Sequence, residues 1–434
     1  MMGSRSKPGL SAAFRLLLLL LILPGSISAP GWSTQAGVES ITPVPAIQAM
    51  IEQVDTATLS GYVGDLSGEW PVTIGGSPYT LATRYSRSVT PIEKATQYAF
   101  EHFEALGLDA AYHTFILSGS QKRNVIAEQA GVGQAGRIFM ITAHLDDYSE
   151  NPYNDAPGAD DNASGSSALL VAADILSQYT FDCTLRYALF TGEEQGKVGS
   201  LAYAQQAYNL GEDIEAVLNL DMIGYNSDAD PEIELHTRPG NAADQAIASL
   251  FADVVLAYGL DLTPLIEPSN IQASDHASFW SYGFPAILAI EDFEDFTPYY
   301  HTTADRLATL DLAYFTDFAK AAVGTLAHLG CLRPPGYLAG TVSDVESAAP
   351  LEGAQLQVTG TGGRIWLASS APDGRFSLML SAGVYDVQAT KPGYNASAHP
   401  GVQVAEDYTT TLDIPLQALT DWRAYFPLIP VGDS

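Results

Sequence analysis

Between residues 137 and 329, apolar runs of strand length alternate with helical ones, an order that leaves few folds open. The strand-like runs are 137–143, 184–191, 216–220 and 284–290, and the helical ones interleaved with them are 166–178, 200–208, 244–259 and 312–329. The strands are almost continuously apolar, so both of their faces must be covered. Helical crossovers do this when the strands run parallel. The expected fold is therefore α/β, a mostly parallel central sheet with helices on both faces. Further helices are expected over 46–54 and 90–106, the second with Pro91 in its first turn and Gly107 just past its end.

The pattern changes at Cys331-Leu332-Arg333-Pro334-Pro335-Gly336, a break that reads as a domain boundary. Beyond it, short segments at 337–342, 354–359, 364–368, 375–380, 383–389 and 409–416 are separated by turn signals such as Pro372-Asp373-Gly374 and Lys391-Pro392-Gly393. This predicts a small C-terminal β-sandwich over 337–418. At the other end, Arg5, Lys7 and Arg15 precede the apolar run 16–23, and Ser26-Ile27-Ser28 offers small residues for cleavage. That is the order of a secretory signal peptide, here 1–28, with an apolar run too short to span a bilayer. The remaining divisions are a linker and lead-in over 29–86, the α/β domain over 87–333, and a tail over 419–434 whose Trp422, Tyr425 and Phe426 form no interpretable pattern. No other stretch is apolar and long enough for a transmembrane segment, so the mature chain is expected to be secreted, extracellular or periplasmic, after cleavage near Ser28. Against 19 Lys and Arg stand 50 Asp and Glu, a net charge of −31, which argues against nucleic acid as a partner.

The chemistry-bearing residues gather at the carboxyl ends of the expected strands. His144 and Asp146 follow the first, Asp160 and Asp161 fill the next loop, Glu193 and Glu194 follow the second strand, Asp221 ends the third, and His301 comes after the last. Ligands of open α/β sheets bind in the crevice outside those ends. Taken singly, each residue has a duller reading: an Asp-Asp or Glu-Glu pair is usually a solvated loop, and His236, His276 and His328 read as ordinary surface or core histidines. Together, two imidazoles and several carboxylates without cysteine suit a hard-to-borderline divalent ion such as Zn2+, with Mn2+ or Co2+ as substitutes. The crevice segments hold few cations, Arg186 and Lys197 only, to balance those carboxylates.

His144-Leu145-Asp146, Gly158-Ala159-Asp160-Asp161-Asn162-Ala163-Ser164-Gly165, Thr191-Gly192-Glu193-Glu194, Leu220-Asp221-Met222, Ser274-Asp275-His276-Ala277-Ser278-Phe279 and Tyr300-His301-Thr302 together resemble the signature of the co-catalytic dizinc aminopeptidases, relatives of the glutamate carboxypeptidases. The resemblance spans about residues 88–330 and implies a zinc exopeptidase-like fold. It implies one zinc on His144 and Asp221, a second on Glu194 and His301, and Asp160 bridging both, with a cis peptide following at Asp160–Asp161. It makes Glu193 the general base and acid, Asp146 the carboxylate that orients His144, and Tyr300 a stabiliser of the oxyanion. Phe279, Phe293, Phe296 and Tyr299 are candidates for an apolar pocket, and Glu291, Asp292, Glu294 and Asp295 for an acidic surround to a substrate amine. The disulfide that some members of the family carry just before the Ser-Asp-His stretch has no counterpart here, where Ala273 stands. Residues 337–418 resemble a carboxypeptidase regulatory-like domain through Gly340-Thr341-Val342, Pro350-Leu351-Glu352-Gly353-Ala354, Asp373-Gly374-Arg375-Phe376 and Gly383-Val384-Tyr385-Asp386-Val387. No partner of this sandwich is implied.

The function expected is a secreted metallo-aminopeptidase acting on peptides with a free N-terminus. The rivals are a glutamate-carboxypeptidase-like enzyme or dipeptidase, which would need a basic pocket, a single-zinc glutaminyl cyclase, and a non-catalytic binding protein on a peptidase fold. A last expectation concerns the two cysteines. Cys183 precedes a strand whose far end leads to Glu193, and the helix 312–329, about 27 Å long at 1.5 Å per residue, carries Cys331 back to that same side. In an oxidising compartment the two should be bridged.

Overall fold

The computed structural model describes residues 41–228, 230–360 and 365–419. The expected signal peptide over 1–28, the start of the linker and the aromatic tail beyond residue 419 lie outside the described residues. Two helices, α1 (Pro45–Ile51) and α2 (Thr56–Leu66), a hairpin of β1 (Val72–Ile74) and β2 (Ser77–Tyr79), and α3 (Thr90–Ala105) come first. Helix α3 starts with proline in its first turn, and Gly107, just past its end, takes the left-handed conformation (φ 75°) that terminates helices.

An eight-stranded sheet follows: β3 (Asp109–Leu117), β4 (Ser120–Gln129), β5 (Gln134–His144), β6 (Cys183–Phe190), β7 (Asp213–Leu220), β8 (Glu232–Thr237), β9 (Thr263–Pro268) and β10 (Ala286–Glu291). Between these strands lie α4 (Gly165–Leu176), α5 (Val198–Leu210), α6 (Ala242–Tyr258) and α7 (His276–Ser281), and α8 (Leu312–Leu329) closes the domain. The strand order is β3-β4-β6-β5-β7-β10-β8-β9. The four central strands β6, β5, β7 and β10 are mutually parallel, whereas β4 and β8 run against their central neighbours. These central strands are the four apolar runs of the sequence. The outer strands are half polar and short of apolar signal, which is why β3, β4, β8 and β9 were not foreseen.

Along the central strands every residue from Thr184 to Phe190 is buried, yet alternate side chains serve different cores. Leu185, Tyr187 and Leu189 join a large cluster with α1, α2, α3, α4, α6 and α8; Ala188 and Phe190 join a smaller one with Tyr203 of α5 and Phe279 of α7. The large cluster also takes Ile47, Met50, Leu59, Val63 and Leu81. Residues 45–81, set apart from the sequence as lead-in, thus pack into the core of the α/β domain; their helices were too short to announce it.

Cys183 at the start of β6 and Cys331 after α8 form a disulfide with Cα atoms 5.5 Å apart. The C-terminal strands β11 (Gly336–Asp344), β12 (Gln355–Thr359), β13 (Ile365–Ser369), β14 (Arg375–Leu380), β15 (Gly383–Thr390), β16 (Ser397–Val404), β17 (Thr409–Thr411) and β18 (Ile414–Leu416) build two sheets. One has the order β14-β11-β17 with β18 also on β11, the other β13-β12-β15-β16, and they enclose Leu338, Val342, Leu356, Val358, Val387 and Ile414. No helix among the described residues is long and apolar enough to cross a membrane.

Candidate metal centre

The parallel strands end together, and their ends deliver the polar groups. His144 is the last residue of β5, Asp221 directly follows β7, Glu193 and Glu194 lie in the loop from β6 to α5, and His301 lies in the loop after β10. Asp161 comes from the kinked segment Ala159–Ser164 leading into α4. One of its carboxylate oxygens is 3.2 Å from His144 Nε2 and the other 3.3 Å from His301 Nε2. Asp221 Oδ1 is 3.1 Å from His144 Nε2, and Glu194 Oε2 is 2.9 Å from His301 Nε2. The result is two groups, His144–Asp161–Asp221 and Asp161–Glu194–His301, that share one carboxylate and whose candidate ligand atoms lie within 4.8 Å of one another in each group.

The shared residue is Asp161 and not Asp160, the residue that the family resemblance puts in the bridging place. Adjacent side chains on a non-helical turn point apart. Asp160 accepts from the Gly224 N–H (2.9 Å) and faces Glu291, while Asp161 faces the two histidines. Asp305, missed from the sequence, fixes this arrangement by accepting from the backbone N–H groups of both Asp160 and Asp161 (2.9 and 3.1 Å). The segment also needs Gly158 at φ 48°, where a Cβ would stand 2.3 Å from the Asp161 carbonyl oxygen. The cis peptide lies at Asp161–Asn162, one residue later than expected. Two consecutive aspartates made this offset ambiguous in the sequence.

Asp146 also acts differently from expectation. His144 Nδ1 lies 3.0 Å from the carbonyl oxygen of Asp146, which accepts from it, while the Asp146 carboxylate is 3.9 Å away. That carboxylate instead accepts from the Glu193 N–H (3.2 Å), tying the loop of the two glutamates to the end of β5. Tyr300 stacks on His301 with ring centroids 3.7 Å apart at 18°, and Tyr148, unforeseen, meets the same imidazole edge-on at 5.1 Å. Of the pocket candidates, Phe279 is fully buried in the α5–α7 core and Tyr299 meets Tyr225 edge-on; Phe293 and Phe296 form, with Tyr300, a chain of edge-on ring contacts beside His301. The acidic candidates are largely spent on backbone: Glu291 accepts from the Tyr225 and Thr297 N–H groups and Asp295 from Ser227 and Asp228.

The electrostatics of the crevice are lopsided. Burial pushes Asp275 up to about 7 and Asp305 up to about 8, and it pushes Glu193 well above the carboxylate range with help from Asp275 and Asp221. Burial also opposes ionisation of Asp161, but hydrogen bonds with His144 and His301 hold it far below the usual range. A buried cation does exist, contrary to the sequence reading. Arg84 is fully buried, but its guanidinium is consumed by Asp147 (3.3 Å) and by the carbonyls of Leu66, Leu145, Pro157 and Gly158. Arg186, the cation expected here, pairs with Glu128 and Glu212 along the sheet. Glu194 Oε1 is buried without a hydrogen-bond partner. A mixed imidazole and carboxylate set with this unsatisfied oxygen and surplus negative charge fits a pair of divalent cations.

Residues 124–326 match the family model described as Peptidase family M28, and residues 337–417 that of the carboxypeptidase regulatory-like domain. A probable leucine aminopeptidase of Trichophyton verrucosum is 30% identical over 261 residues, 57% of this chain and 67% of that protein. The LapA aminopeptidase structure of Legionella pneumophila superposes with a TM-score of 0.54 at 21% identity, over 66% of this chain and 74% of its own. The glutaminyl cyclase of Porphyromonas gingivalis does so with 0.50 at 17%, over 64% and 99%. At those identities the two structures share a fold with this chain and nothing finer.

Proposed function

This chain belongs to peptidase family M28, and from that premise we propose that it is a secreted, zinc-dependent aminopeptidase removing N-terminal residues from peptides. The observation that carries the reading is the Asp161 carboxylate shared between His144 and His301, with Glu193 beside both groups and part of neither. His144, Asp161 and Asp221 would hold one Zn2+, and Asp161, Glu194 and His301 a second, with Mn2+ or Co2+ as substitutes. The pair would supply Lewis-acid polarisation of the scissile carbonyl and acidify a water.

Glu193 takes the proton of the attacking water and returns it to the leaving amine. Its neighbours suit that work: burial and the adjacent carboxylates raise its proton affinity, and the Asp146 carboxylate fixes its backbone. His144 is kept facing Asp161 and Asp221 by the Asp146 carbonyl. Tyr300, stacked on His301, would stabilise the oxyanion. The surplus of carboxylates favours a substrate ammonium over a substrate carboxylate, and Arg84 is fully buried and bound to Asp147 and four backbone carbonyls. Export is supported by the Cys183–Cys331 disulfide, since such bonds persist in oxidising compartments.

The test is a substrate panel on zinc-loaded protein. A leucyl peptide should be cleaved, its N-acetylated form should not, and amidating its C-terminus should matter little. The opposite pattern would make the chain a carboxypeptidase or dipeptidase, with Lys197, in the loop after Glu194, as the first cation to mutate.

A further inference from the structure

Strand β8 carries a buried acid and a buried imidazole that the reaction does not use. Its Ile233 and Leu235 enter the large core, which turns Glu234 and His236 to the opposite face, beside Ile290 and Leu288 of β10. Glu234 is 7% exposed and His236 2%. The Phe293 N–H donates to one Glu234 oxygen (3.1 Å), and the other lies 2.7 Å from His236 Nε2. His236 Nδ1 is 2.9 Å from the Ser269 hydroxyl, and the His236 ring stacks on Phe293 with centroids 5.1 Å apart at 29°. Backbone and ring of Phe293 are thus held by two neighbouring side chains at once.

Phe293 in turn packs, as does Ile271, against the cluster of Met222, Leu288 and Ile290. Its ring meets Phe296 at 6.2 Å, Phe296 meets Tyr300 at 5.2 Å, and Tyr300 stacks on His301. An unbroken line of ring contacts therefore runs from β8 to a candidate metal ligand. An apolar pair would fill the same space without burying a carboxylate, which is costly; what it could not do is fix the Phe293 N–H and ring plane together.

We propose that Glu234 and His236 are positioning residues that clamp Phe293, and so set the apolar wall receiving the first side chain of the substrate. The proposal rests on the aminopeptidase reading for its substrate and on the geometry alone for the clamp. A floating wall costs large side chains their contacts and leaves small ones almost untouched.

The experiment uses the full zinc-loaded protein with Glu234→Ala, Glu234→Gln and His236→Leu, measured on leucyl and alanyl anilides, with zinc content and amide exchange of the peptide containing Phe293 by mass spectrometry. Glu234→Ala should raise KM for the leucyl substrate roughly tenfold while kcat and the alanyl KM stay within about twofold. Exchange at Phe293 should quicken, and zinc should stay bound. Glu234→Gln keeps an acceptor for the Phe293 N–H and should retain most of the leucyl preference, and His236→Leu should lose part of it. An unchanged leucyl-to-alanyl ratio with unchanged exchange in Glu234→Ala would overturn the clamp, as would equal losses on both substrates. If the unmutated protein cleaves no free-amine substrate, the aminopeptidase reading fails, while exchange at Phe293 still decides the clamp.

Discussion

The two ends of the central sheet treat charge in opposite ways. At the amino ends of the parallel strands, charges are matched: Arg137 forks onto Glu215, Arg333 pairs with Asp182, and the Cys183–Cys331 bridge sits among them. Along the sheet Arg186 joins Glu128 and Glu212. At the carboxyl ends, Asp146, Asp147, Asp160, Asp161, Asp221, Asp275, Glu291 and Asp305 are all buried, and Arg84 answers Asp147 alone. Matched charge at one end is what a fold needs. Unmatched charge at the other is tolerable when something positive binds or when the carboxyls take up protons.

The sharpest way to break the comparison is to remove the shared carboxylate. Asp161→Ala should strip zinc from both sites and lower turnover by roughly four orders of magnitude or more. Asp160→Asn, one residue earlier, should keep both ions, since its carboxylate faces Gly224 and Glu291. Zinc content by atomic spectrometry reads both variants; equal zinc loss in the two would return the bridging place to Asp160.

A smaller effect separates the adjacent glutamates. Glu193→Gln should keep the fold and both ions while losing about three orders of magnitude in turnover, the scale of general-base catalysis. Glu194→Ala should instead weaken one site, recoverable in part by excess zinc. Near-normal turnover in Glu193→Gln would remove it from the reaction.

These variants probe what the sequence could and could not say. The central strands, α8 and the disulfide were legible because each rests on a strong local signal: apolar runs, an amphipathic helix, and two cysteines whose elements end on one side. The gathering of His144, Glu193, Glu194, Asp221 and His301 was legible because each ends or follows a strand. The choice between Asp160 and Asp161 was not, because it depends on Asp305, distant in sequence, and on a turn without regular period. Arg84 and the Glu234–His236 pair were hidden for the same reason, as buried polar residues whose partners come from elsewhere in the chain.

The matched end can be tested through its covalent link. Replacing Cys183 and Cys331 by serine frees a separation of 148 residues. The loss in unfolding free energy should reach up to about 5 kcal/mol in the chain-entropy model, often less. Because the bridge lies across the sheet from the crevice, kcat should hold below the new melting temperature. A drop in kcat with stability unchanged would mean that the two ends are coupled.

The smallest expected effect is that of the Arg137–Glu215 pair, and its pH dependence distinguishes the two ends. The hydrogen bond from Arg137 holds the Glu215 carboxyl below its ordinary value, with slight burial opposing. A depressed carboxyl pKa stabilises the fold at pH values above the unfolded value, about 4.3, and that contribution fades as pH falls through the folded one. Both side chains are about a third exposed (37% and 32%), so solvent screens the pair and it should contribute about 0.5–1 kcal/mol. Glu215→Gln should therefore cost that much in urea unfolding at pH 7, less at high salt, and nothing by roughly pH 3. If the cost persists at pH 3, the pair acts through packing, with Arg137 lying 5.5 Å from the Phe139 ring centroid, and matched charge would not be what stabilises this end of the sheet.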